Sequence, residues 1–68
     1  MDEVSGVVKG IDPTMGHIAV DVLDEGIRHV VRAKVRDKVS EGDPVVVTRA
    51  RGTEIITSVR LANSGVSR

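Results

Sequence analysis

β-Branched aliphatic residues dominate this chain: fourteen Val and five Ile stand against two Leu, with no Phe, Tyr or Trp among 68 residues. Two heavy atoms on Cβ stiffen χ1 and suit a pleated, half-buried surface better than a helix. The composition therefore predicts an all-β protein whose core is small and filled by Val and Ile. One domain is the most that this length supports, and such a domain buries only about 60% of its unfolded surface. The usual reinforcements of small folds are missing. Without Cys there is neither a disulfide nor a thiolate metal ligand. His17 and His29 are the only histidines, too few and too far apart in the chain for a zinc site.

Turn signals divide the chain into five strands. Val4 to Ile11 forms the first, with Gly6 and Gly10 permitting a bend or bulge. Asp12-Pro13-Thr14-Met15-Gly16 is a turn in which Pro13 presets φ and Gly16 takes a positive value. His17 to Leu23 alternates cleanly, with Ile18, Val20 and Val22 on one face. Asp24-Glu25-Gly26 is a hairpin loop. The return strand Ile27 to Ala33 places Arg28, Val30 and Arg32 on one side, and Ile27, His29, Val31 and Ala33 on the other. Lys34 to Ser40 fits a short helix, an irregular loop or a continued strand. After the Glu41-Gly42-Asp43-Pro44 turn, Val45 to Ala50 is a continuous apolar run consistent with burial on both faces. Pro44 can open an edge strand but not occupy a central one. Arg51-Gly52-Thr53 turns into a last strand, Glu54 to Leu61, and residues 63–68 are expected to form a flexible tail. Closure of residues 1–62 into a five-stranded OB-type barrel would remove the exposed edges that so Val-rich a chain would use to aggregate.

Formal net charge is zero but unevenly distributed. Residues 1–25 carry six acids and one base, and residues 26–68 carry nine bases and four acids. No apolar run approaches the roughly 18–20 residues needed to cross a bilayer, and no signal peptide is visible. A soluble, cytoplasmic chain is the expectation.

The most pointed cluster is Arg28, Arg32, Lys34, Arg36 and Lys38, interrupted only by Asp37 among the acids. Such a run can follow a phosphate backbone. It can equally be a solvated strand and loop that balances the acids of the first half. Single-strand binding by OB-folds normally adds aromatic stacking platforms, worth about 1–3 kcal/mol per base, and this chain has no aromatics. The histidines are weak candidates for acid–base catalysis, which needs a positioned partner in a cleft. A hairpin turning at residues 24–26 would set His29 beside Asp21, an ordinary cross-strand pair. The glycines stand singly at strand ends and form no phosphate-binding fingerprint. Val30 with Arg28 and Arg32, together with Val45 to Val47, offers an aliphatic patch for a protein partner or for self-association.

The order of these signals resembles the soluble C-terminal OB domain of NfeD-like membrane proteins. Gly6-Val7-Val8, the turn Asp12 to Gly16, and His17-Ile18-Ala19-Val20 match its opening. Gly26 to Ala33 matches its third strand. Gly42 before Val45-Val46-Val47, and Gly52 before Ile55-Ile56, match its close. The resemblance covers about residues 4–61. It implies a domain normally attached to transmembrane helices, assisting stomatin- or flotillin-like membrane scaffolds through protein contacts without catalysis. This chain would then be an excised, membrane-associated piece of a longer protein. The Glu41-Gly42-Asp43 turn is also shared with the translation initiation factor one barrel, TRAM-type RNA-binding domains and TOBE/Mop modules. Two functions follow as expectations. One is a non-catalytic protein-interaction module with no cofactor or metal; the other is an RNA or single-stranded DNA binder working through Arg28, Arg32, Lys34, Arg36 and Lys38.

Overall fold

The structure, a computed structural model, describes residues 2–62. Five strands follow the β-branched segments: β1 (Asp2–Ile11), β2 (Ile18–Val22), β3 (Gly26–Val30), β4 (Pro44–Arg49) and β5 (Ile56–Leu61). They form one antiparallel sheet in the order β3-β2-β1-β4-β5. The expected tail, 63–68, lies outside the described residues.

β1 organises the sheet because it is long enough to serve two neighbours. Its first half pairs with β4, from Asp2↔Arg49 to Val7↔Pro44, and its second half pairs with β2, from Gly6↔Val22 to Ile11↔Ile18. The two ladders overlap at Gly6 and Val7, where a Cβ on Gly6 would meet Val20 Cγ1 at 2.8 Å and the Asp21 carbonyl oxygen at 3.0 Å. Glycine is thus what lets β1 approach β2 there. A register shift between Val8 and Gly10 adds the bulge that the sequence suggests. Pro44 opens β4 as expected, but β4 lies between β1 and β5 rather than at an edge. As first residue of the strand it needs no ladder N–H, and its carbonyl accepts from Ala62 N at 3.0 Å.

Among the described residues every buried hydrophobic side chain is β-branched: Val8, Ile18, Val20, Val22, Val30, Val45, Val47, Ile56 and Val59, none more than 6% exposed. They come from all five strands. Among the described residues no α-helix lies over this face; Val4, Val35, Val39 and Leu61 pack against it instead. Two of these four, Val35 and Val39, come from the segment that follows β3. Val45 and Val47 are buried as expected and Val46 half-buried. The aliphatic patch expected from Val30 and Val45 to Val47 does not form as such, because Val30, Val45 and Val47 fill the core and only Val46 is left half-buried.

The sheet is not closed into a barrel: β3 and β5 are its outer strands and share no ladder. β3 ends at Val30, three residues before the expected Ala33, and the chain turns through one 3₁₀ turn, Arg32–Lys34. It then passes beside β5 with a single parallel bridge, Val35↔Val59, and one backbone bond, Arg36 N to Val59 O at 2.7 Å. Side chains join the rest of this seam. Lys34 Nζ donates to Ile56 O at 2.8 Å, Arg28 Nη2 donates to Glu54 O at 3.3 Å, and Asp37 Oδ2 accepts from Leu61 N at 2.9 Å.

Candidate binding groove

The five cations of the basic run do not form one surface. Arg28 shares the inward face of β3 with Val30 and pairs across with the buried Val20. Its guanidinium lies at the end of the sheet and donates to Glu25, with Glu54 Oε1 3.8 Å away. The other Glu25 oxygen pairs with Arg49, which also reaches Asp24 at 3.5 Å. The Glu25 side chain is 10% exposed and that of Arg49 14%. Such a carboxylate keeps its charge away from water only because two guanidiniums face it. This cluster fastens the β2–β3 hairpin to β4 and to the β4–β5 loop. Nothing marked it locally in the sequence beyond Glu25 preceding Arg28 by three residues. Lys34 is likewise committed to the seam.

Arg32, Arg36 and Lys38 remain. Among the described residues their side chains make no hydrogen bond or ion pair, and all three are exposed. They line one open groove of about 520 Å³ between the 32–39 segment and the β1–β2 turn. Its apolar lining is Ile11, Ile18, Val35 and Val39. Among the described residues Asp37 is the only acid on the lining, and its Oδ2 already accepts the Leu61 amide. The groove thus presents three free cations around an aliphatic floor.

Gly16 fixes one side of it. The residue has φ +78°, and a Cβ there would meet Arg32 Cδ at 2.8 Å and Cγ at 3.3 Å. The missing side chain makes a notch in which the arginine stem lies. The turn that presents Gly16 is held from within: Asp12 Oδ1 accepts from Thr14 N at 2.8 Å and Met15 N at 3.2 Å, and Asp12 O accepts from Gly16 N at 2.7 Å. Those two amide bonds hold the Asp12 carboxyl below its usual pKa, Thr14 N contributing most.

The histidines lie on the opposite face. The hairpin loop is Leu23 to Glu25, Glu25 N bonding to Val22 O at 3.0 Å, so Val22 pairs with Gly26 and His29 with Ala19. The expected His29–Asp21 pair is shifted by two residues, because the loop both begins and ends one residue earlier than the sequence suggests. His17 and His29 line a shallow concavity of about 430 Å³ with Asp12 and Ala19. Among the described residues no group of three or more His, Cys, Asp or Glu could hold a metal ion. A third concavity, of about 340 Å³, is lined by Val7, Leu23 and Pro44 with Asp21.

Among the described residues no helix is long and apolar enough to cross a membrane. No protein-family model matches the chain, and no curated protein or solved structure matches it either.

Proposed function

We propose that this chain is a non-catalytic protein-interaction module built on a partly open OB-type barrel. The strand order, with β1 shared between β2 and β4 and the 35–37 segment passing parallel to β5, supports that architecture. One observation carries the functional reading: among the described residues Arg32, Arg36 and Lys38 stand without side-chain partners around an aliphatic floor, while the other two cations of the run serve the fold. A groove of mixed character suits a protein segment, which brings apolar and acidic side chains together. The resemblance to NfeD-like soluble domains points the same way, toward a stomatin- or flotillin-like scaffold as partner. The test is titration of this chain with the soluble domain of such a scaffold. Saturable binding that is lost on Arg36→Glu supports the module; no binding at about 50 mM salt, where charge contacts are strong, counts against it.

The second reading is an RNA or single-stranded DNA binder, favoured by the same three free cations. It lacks the aromatic platforms on which bases stack. Oligonucleotide binding at about 50 mM salt that collapses at higher salt would support it.

A further inference from the structure

We propose that the groove between the 32–39 segment and the β1–β2 turn takes an extended partner segment that alternates acidic and aliphatic side chains. This rests on the interaction-module reading and specifies the chemistry of its partner. Three relationships argue for it.

The cations share their groove with an aliphatic strip. Ile11 is 41% exposed, although it is a large apolar side chain at the end of a strand, and Val35 and Val39 are only partly covered. A polyanion with hydrophilic flanks would leave that strip wet. A segment with alternating side chains places its aliphatic groups on the strip and its carboxylates toward the rim, because successive residues of an extended chain point to opposite sides. Charge complementarity sets the sign of the partner. The lining carries Arg32, Arg36 and Lys38 against the single acid Asp37, which is turned to the Leu61 amide.

The rim is also preorganised on one side. The Gly16 notch holds the Arg32 stem, and the Asp12 turn holds Gly16. An arginine whose stem is already seated loses less freedom when it engages a carboxylate, and its planar fork can take one bidentately. Arg36 has its backbone tied to Val59 while its side chain stays free. The seam therefore positions the second cation as the notch positions the first.

Fluorescence anisotropy with synthetic eight-residue peptides tests this on the full chain. The probe alternates Leu and Glu; companions replace Leu by Ser or Glu by Lys, and a single-stranded oligonucleotide represents the other class of ligand. The expected result is saturable binding of the Leu/Glu peptide, weakened about tenfold by Arg36→Glu, by Ile11→Thr and by Ser in place of Leu, each change removing roughly one decade of affinity. Gly16→Ala should weaken binding while Arg36→Glu keeps the native circular dichroism spectrum, which separates loss of the groove from loss of the fold. Equal binding of the Lys peptide overturns the proposal, as does indifference to Ser for Leu. Binding of the oligonucleotide without the peptide overturns it together with the module reading. A scaffold domain that binds while the Leu/Glu peptide does not removes this inference and leaves the module standing.

Discussion

Lys34 donates its ammonium to the main-chain carbonyl of Ile56 at 2.8 Å, twenty-two residues away, at a gap where a closed sheet would have a strand amide. A side chain from the turn after β3 thus bonds the main chain of β5, with which β3 shares no ladder. Lys34→Met keeps the stem and removes the donor, so it should lower stability by about 1 kcal/mol. Urea unfolding followed by circular dichroism measures it, since the chain has no aromatic fluorophore. An unchanged midpoint would show that the remaining seam contacts, Arg36 N to Val59 O and Leu61 N to Asp37 among them, hold it without the Lys34 bond.

Glu25 and Glu3 make ion pairs in contrasting settings. Glu25 is nearly covered between Arg28 and Arg49, whereas Glu3 meets Arg60 at 3.1 Å with its side chain 56% exposed. Glu25→Gln should cost about 2 kcal/mol, because two guanidiniums lose their counter-charge at a largely dry site. Glu3→Gln should cost less than about 0.5 kcal/mol. Similar losses from the two variants would contradict the structural role assigned to the Glu25 cluster.

Gly6 and Gly10 lie four residues apart in β1 and should respond oppositely to alanine. Gly6→Ala drives a methyl into Val20 and the Asp21 carbonyl and should destabilise by about 1–3 kcal/mol. A Cβ at Gly10 meets nothing within 4 Å, and its φ is not positive. Gly10→Ala should be neutral or mildly stabilising, by up to about 1 kcal/mol, through the unfolded chain. Thermal melts of the two variants decide this.

The Asp12 turn gives a pH dependence of definite sign. Its folded pKa lies below its unfolded value because the charged form accepts two amides. The stabilisation is complete above the unfolded pKa of about 4 and is lost as pH falls through the folded value. Asp12→Asn should therefore flatten the acid limb of the stability curve below about pH 4. Acid limbs of equal slope in variant and parent would exclude the turn as their source.

The sheet was legible because its signals are local. Ile18, Val20 and Val22 alternate in sequence and all three are buried, and Gly16 and Gly26 take the positive φ values expected of turn residues. The basic run was legible only as charge. That Arg28 shares a face with Val30 was a readable sign that it points inward, but its carboxylate partner and the carbonyl it reaches depend on how the loops meet. Lys34 and Ile56, or Asp37 and Leu61, are joined by bonds that span more than twenty residues and leave no periodic trace. The same holds for the groove, whose floor draws Ile11 and Ile18 from β1 and β2 and Val35 and Val39 from an irregular segment. Local patterning predicted closure of the barrel; the structure has side chains across a seam.

Chemical-shift mapping tests the interaction groove most directly. The ¹⁵N-labelled chain is titrated with the soluble domain of a stomatin- or flotillin-like scaffold. The account predicts shifts concentrated at Ile11, Gly16, Arg32, Arg36, Lys38 and Val39, with His29 and Leu23 unmoved. Shifts centred on the His17–His29 face, or none at saturating scaffold, would contradict it.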